Sequence, residues 1–292
     1  MERAIETSGL TKYYGKSRGI IDVNMTVNRG DFYGFVGPNG AGKSTTIRTL
    51  LGLINASKGE AKILGLDYKK DNHKILQKIG YMPSESRFYE QLKVEEMILL
   101  AAKLHNKDCS KGAKDLCERF GIDQKKKIEE LSLGNRKKVN IVCAMQHSPE
   151  LLILDEATSG LDPLMQKEFF DVLHERQKEG VTILLSSHFL PEIQNNCNRV
   201  GIVKEGHLIA QRDIEDFSEN AAKKIWTRGI DVLPELKGIL NTEKDDEGIH
   251  FLYKGNLKEL LCTFGQLDIV DIRIEEPSLE EIILHFYEKE EA

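Results

Sequence analysis

Residues 37–45 read GPNGAGKST, and the fold follows from how this stretch is read. Gly37-Pro38-Asn39-Gly40-Ala41-Gly42-Lys43-Ser44, with Thr45 behind it, satisfies the pattern G-x-x-x-x-G-K-[ST]. Its glycines let backbone N–H groups turn inward around phosphate oxygens with no Cβ in the way. Lys43 brings a positive charge to β and γ phosphates, and the Ser44 hydroxyl can ligate Mg²⁺. Such a loop works only between a strand and a helix. Both flanks are present: DFYGFV (31–36) reads as a short apolar strand, and STTIRTLLGL (44–53) as a helix whose N-terminal dipole faces the anion. The expectation is a nucleotide held by its phosphates.

Two further stretches place acid and imidazole chemistry near that loop. In LLILDEATSGLDP (151–163), Leu151 to Leu154 read as a buried parallel strand that ends in two carboxylates. A carboxylate at the C-terminal end of such a strand lies in the crevice where open α/β sheets bind ligands. Asp155 is placed for the Mg²⁺ shell, and Glu156 for a water attacking the γ-phosphate. One acid could serve as a helix cap, but two after a fully apolar strand ask for more. VTILLSSH (181–188) repeats the pattern, a core strand emerging at His188. The other seven histidines read as structural.

Bulk properties limit the function classes. The chain has 292 residues, 40% hydrophobic and 30% charged, as in soluble globular proteins of one large domain plus a small one. A net charge of −6 argues against a nucleic-acid partner, which would show as a basic excess. No apolar run approaches the ~18 residues of a membrane span, and MERAIETSGL (1–10) has no apolar core of a secretory signal. Five cysteines without C-x-x-C spacing read as reduced thiols. A soluble, intracellular protein is expected.

Between the phosphate loop and the acidic pair lies LSLGNRKKVNIVCAMQHSPELLILDEATSGLDP (131–163). With this segment in place, residues 3 to 212 resemble the nucleotide-binding subunit of ATP-binding cassette (ABC) transporters. By that resemblance Gly37 to Ser44 match the Walker A motif, Leu151 to Asp155 the Walker B motif, and Glu156 the catalytic carboxylate. Ser159 to Asp162 match the D-loop, and His188 the switch histidine. Tyr14, in LTKYYG (10–15), takes the place of the aromatic that stacks on adenine. Leu131 to Asn135 stand where the signature motif L-S-G-G-Q is usual, so Ser132 and Gly134 are expected at the γ-phosphate of a partner protomer. Leu133 and Asn135 depart from that pattern, and a weakened but functional site is expected. Ser84, followed by Glu85, stands where the family has a glutamine or glutamate near Mg²⁺. Either a water bridges the shorter serine or Glu85 takes over.

The resemblance implies an α/β P-loop NTPase cassette: a mixed sheet core, an antiparallel β subdomain, and a helical subdomain inserted at about residues 86–147. Alternation in IIDVNMTV (20–27) puts Ile21, Val23, Met25 and Val27 on one face of a single strand. DQKKKIEE (123–130) reads as a solvated face, and VGIVKEGHLIA (200–210) as a strand pair turning at Glu205-Gly206. Residues 213–292 form a separate small α+β domain, read as strand KKIWTRG (223–229), helix DVLPELKGIL (231–240), strand GIHFLYK (248–254), helix NLKELLCTF (256–264) and strand LDIVDIRI (267–274). That order suggests a split βαβ layer of ferredoxin-like type. In PSLEEIILHFYEKEEA (277–292), Ser278 and Glu281 form a capping box before an apolar stripe of Leu279, Ile282, Ile283 and Phe286.

The function implied is Mg²⁺-dependent ATP hydrolysis that drives export through a separate membrane-spanning permease. The C-terminal extension resembles those of bacitracin-type and antibiotic-resistance exporters. Two cassettes, in a homodimer or heterodimer, would sandwich ATP at the cytoplasmic face of the membrane. The alternative is a soluble cassette ATPase with a non-membrane partner. Against it, the Lys43–Asp155 interval carries no sustained heptads, as DNA-repair relatives require, and ribosome-bound relatives carry two cassettes per chain. A GTPase would need N-K-x-D, which NKDC (106–109) breaks at its last position.

Overall fold

The computed structural model describes residues 2–15, 17–85, 87–105, 107–219, 223–245 and 247–275. The chain divides between Arg212 and Asp213 into two compact units. The predicted capping box and apolar stripe of residues 278–286 lie outside the described residues.

In the first unit the chain opens with β1 (Arg3–Tyr14), β2 (Ser17–Val23), β3 (Thr26–Asn28) and β4 (Phe32–Val36), and then enters α1 (Lys43–Leu50). Next come β5 (Lys58–Ile63), β6 (Leu66–Asp67), α2 (Asn72–Leu76) and β7 (Ile79–Met82). The inserted helices are α3 (Val94–Lys103), α4 (Ser110–Arg119) and α5 (Leu133–Met145). The core resumes with β8 (Leu151–Asp155), α6 (Pro163–Lys178), β9 (Thr182–Ser187), α7 (Leu190–Asn196), β10 (Arg199–Lys204) and β11 (His207–Asp213).

These strands form two sheets. β2, β1, β5 and β6 lie in that order with β3 also on β1, and the described pairs are antiparallel. The second sheet runs β11-β10-β4-β9-β8-β7. Its pairs from β10 through to β7 are parallel. Parallel strands covered on both faces are apolar throughout, and β4 and β8 are buried at every position. Glu205 and Gly206, both at positive φ, make the two-residue turn into β11. Helix α1 is anchored on both sides: its Ile47 and Leu50 share one apolar cluster with Ile5 and Leu10 of β1, Phe35 of β4 and Ile153 of β8. Each such side chain contributes about 1.5–3 kcal/mol on burial, so the helix behind the phosphate loop is rigidly held.

The predicted single strand over residues 20–27 is in fact two. β2 ends at Val23, β3 begins at Thr26, and Asp22 adopts a φ of 50°. The β1–β2 register slips near Lys12. The slip buries Ile20 and leaves Ile21 only half-buried, while Val23, Met25 and Val27 are buried as expected.

The second unit holds α8 (Ile214–Glu219), β12 (Lys223–Arg228), β13 (Ile239–Lys244), β14 (Ile249–Tyr253), α9 (Leu257–Phe264) and β15 (Asp271–Glu275). Its sheet runs β13-β14-β12-β15 with antiparallel pairs. The first and third strands are therefore central, as in the ferredoxin-like order. The predicted helix over 231–240 is absent, and the segment is irregular up to β13. Pro234 steers Leu233 away from helical angles. Gly238, at a φ of 100°, lies so close to the Lys254 carbonyl that a Cβ would stand 2.4 Å from that oxygen.

Candidate active site

The phosphate loop connects β4 to α1 at the C-terminal edge of the parallel sheet. β9 and β8 are the next strands along, and the register pairs Val36 with Ser187 and Ser186 with Asp155. Three neighbouring strands thus end in line, and the residues after them meet. Gly37 is pressed against β10, where a Cβ would lie 2.3 Å from the Val203 carbonyl oxygen. Gly42, at a φ of 110°, caps α1 without a side-chain hydrogen bond. The first-turn N–H groups of α1 are thus left for an anion.

Lys43 is 6% exposed. Its Nζ donates to the Gly37 carbonyl at 2.6 Å and lies 3.3 Å from Glu156 Oε1. The other oxygen of that carboxylate, Oε2, is 2.7 Å from His188 Nδ1. Glu156 therefore stands between the phosphate-loop lysine and the histidine after β9. It does so with a φ of 50°, a strained conformation for a residue with a side chain and one that clusters at functional sites. Asp155 is fully buried; Ser186 Oγ donates to its Oδ1 at 2.8 Å, and its Oδ2 has no hydrogen-bond partner among the described residues. Ser44 and Thr45 occupy the first turn of α1, both half-buried.

Ser132 caps α5, its side chain accepting from the Asn135 amide at 3.3 Å. Gly134 lies beside Gly160, whose carbonyl would be 3.5 Å from a Cβ at 134, and Leu133 is 68% exposed. The structure therefore gathers Lys43, Glu156 and His188 into one cluster and places Ser132 and Gly134 at the exposed start of α5. Tyr14 is 47% exposed rather than a core residue. Its ring covers Gly19, where a Cβ would be 3.0 Å from Tyr14 Cε2, and the Gly19 carbonyl would in turn be 3.0 Å from a Cβ at Gly42. One backbone segment thus separates the ring from the phosphate loop. Tyr14→Ala should weaken ATP binding by about 1–3 kcal/mol if the ring stacks on the base, and should flatten discrimination between ATP and GTP. Fluorescent-nucleotide titration reads both, and an affinity within twofold of the parent would move the stacking role to Tyr13.

Several contributors escaped the sequence reading. Lys137, 4% exposed, donates to the carbonyls of Ser84 at 3.1 Å and Glu156 at 3.2 Å. Burial pulls its ammonium below the ordinary lysine range, and the charges of Glu156 and Asp155 oppose that pull. Its spacing from Ile141 and Ala144, on the buried face of α5, was the available signal. Ser186 orients Asp155. Ser187 Oγ donates to Glu192 Oε2 at 3.0 Å and accepts from the Phe189 amide at 2.9 Å, holding the turn that carries His188. Burial pushes the Glu192 carboxyl above its usual value. Ser84 is half-buried and Glu85 exposed.

A glycine loop leading from a central parallel strand into a helix, with carboxylates at the end of a nearby strand, defines a P-loop nucleotide-binding α/β protein. Residues 20–159 match the family described as ABC transporter. The chain is 35% identical to the bacitracin transport ATP-binding protein BcrA of Bacillus licheniformis, with 96% of each chain covered. It is 33% identical to the linearmycin resistance ATP-binding protein LnrL of Bacillus subtilis, over 70% of this chain and 68% of that one. Among solved structures, an ATP-binding subunit of an ABC transporter superposes with a TM-score of 0.70 at 30% identity, covering 74% of this chain and 92% of that one. The dimeric cassette MJ0796, at 21% identity, has a TM-score of 0.66 with 72% and 98% covered, and shares the fold. The chain belongs to the ABC transporter ATP-binding proteins, and its activity is the binding and hydrolysis of ATP in the service of transport. Among the described residues no helix is long and apolar enough to cross a membrane.

Proposed function

We propose that this chain powers export through a separate membrane-spanning permease, working at the cytoplasmic face of the membrane as one of two cassettes that close on ATP. The observation that carries the reading is Glu156, poised between Lys43 and His188 where β4, β9 and β8 end together. On ATP binding, Lys43 would exchange its Gly37 carbonyl for phosphate oxygens, joined by the amides of residues 37–45. Glu156 would then accept a proton from the attacking water, with His188 steadying the carboxylate.

Asp155 and Ser44 suit Mg²⁺. Asp155 has one oxygen fixed by Ser186 and the other without a partner, and magnesium takes one or two carboxylates plus substrate phosphates rather than an all-protein cage. When bound, the ion would neutralise charge on the β and γ oxygens. With Ser84 half-buried and Glu85 exposed, a water between Ser84 and that ion is the reading we favour over a direct role for Glu85.

Export is supported by the names of the relatives, which concern bacitracin transport and linearmycin resistance. The permease surface is assigned to residues 86–104, of which Ser86 lies outside the described residues. Within it Tyr89 is 68%, Leu99 56% and Leu104 72% exposed, while Phe88 is half-buried. Contiguous apolar surface marks contact sites, and these side chains are proposed to form one. Tyr89→Asp should abolish co-purification with the membrane subunit and leave basal ATPase activity unchanged, because Tyr89 lies outside the phosphate site. Retained co-purification would move the permease contact elsewhere, and absence of any membrane partner for the parent protein would favour a non-membrane function.

A further inference from the structure

Lys137 is a charged side chain among the buried residues of α5, which are otherwise Asn140 and the apolar Val139, Ile141, Val142, Ala144 and Met145. An ammonium taken out of water costs several kcal/mol unless it is fully compensated. Among the described residues its Nζ donates to two main-chain carbonyls from different strand ends, Ser84 after β7 and Glu156 after β8. β7 and β8 are adjacent, with Met82 opposite Leu154, so both carbonyls emerge at the same sheet edge two residues further on. The Glu156 carbonyl also receives the Ser159 amide at 3.4 Å. Glu156 is the residue with a φ of 50°, and a non-glycine residue stays in that region only where its surroundings over-determine it.

We propose that Lys137 is a positioning residue for hydrolysis, clamping the left-handed backbone of Glu156 to the loop at Ser84 so that the carboxylate faces the phosphate site. This rests on the reading of Glu156 as the hydrolytic carboxylate. The clamp sits on α5, which Ser132 caps and whose first turn carries Gly134. A rise of 1.5 Å per residue puts Lys137 only about 7 Å along the axis from Ser132. A force on the start of α5, where a partner protomer's nucleotide would dock, therefore reaches Glu156 through about one and a half turns of helix and one ammonium. The clamp also gives the Ser84 loop a link to the carboxylate through its main chain, independent of the short serine side chain.

The test uses Lys137→Met, Lys137→Gln and Lys137→Arg in the full chain. Measured are kcat, KM, ATP affinity, thermal stability, and amide hydrogen exchange at residues 84–85 and 156–159 in nucleotide-free protein. Lys137→Met should lower kcat by about 10²-fold, the cost of misplacing a catalytic group by about 1 Å. ATP affinity should stay within twofold, and exchange at the Ser159 amide should accelerate. Lys137→Arg, which keeps charge and donors, should restore both. A Lys137→Met protein with parental kcat overturns the proposal, as does one that loses kcat with exchange at 156–159 unchanged. Should Lys137→Met fail to fold, the glutamine and arginine variants decide by the same two readouts. The exchange measurement needs no turnover, so the clamp is tested apart from the role of Glu156. A parental rate in Glu156→Gln would remove that role instead.

Discussion

Glu156→Gln is expected to bind ATP and to hydrolyse it about 10²–10⁴-fold more slowly, the usual range for loss of a general base. Glutamine keeps the shape of the side chain and can still meet Lys43 and His188, now lying 3.3 Å and 2.7 Å from the two carboxylate oxygens. Its amide cannot take a proton from water, so binding survives while chemistry stalls. Removing one negative charge beside the triphosphate also lets the ATP-bound state accumulate. The protein should therefore run as a monomer without nucleotide and as a dimer with ATP. Single-turnover hydrolysis and light scattering read the two effects. A parental rate would take Glu156 out of the chemistry, and a strictly monomeric ATP complex would remove the composite site built from Ser132 and Gly134 of a second chain.

Lys43→Ala should weaken ATP binding by about 10²-fold or more. A hydrogen bond to a charged group contributes about 1.5–3 kcal/mol, and loss of two phosphate contacts falls at about 3–6 kcal/mol, with each 1.4 kcal/mol tenfold in affinity. The lysine is 6% exposed and ends at the Gly37 carbonyl and Glu156, so the nucleotide-free protein also has an interest in it. Truncation leaves the 18%-exposed Glu156 carboxylate without its cation and should lower the unfolding midpoint. Lys43→Arg should not rescue binding, because a planar fork of donors does not replace the compact ammonium that meets the Gly37 carbonyl and the phosphates as a point charge. Isothermal calorimetry with ATP checks the prediction, and an affinity within twofold of the parent would refute it.

What the sequence by itself determined is local. A strand, a glycine loop and a helix are contiguous, so the geometry of residues 32–50 was readable from apolar runs and from the glycines that permit close turns. Asp155, Glu156 and His188 were visible for the same reason, each lying a few residues or less beyond an apolar run, Leu151–Leu154 for the two acids and Ile183–Leu185 for the histidine. Tertiary structure alone decided everything that depends on which distant segments lie side by side. The order β4-β9-β8 brings three strand ends together, and no single segment encodes it. Lys137 looks like a surface lysine until α5 packs against the sheet and supplies carbonyls from positions 84 and 156, and Ser186 is an ordinary strand serine until β8 aligns with β9. The irregular segment 231–240 was misread because its apolar spacing suits a helix. The close approach of Gly238 to Lys254 comes from another strand, and the slip near Lys12 that exchanged Ile20 for Ile21 in the core arises in the same way. Periodicity records which face a residue prefers, whereas register and long-range hydrogen bonds are settled only when separate segments compete for the same buried space.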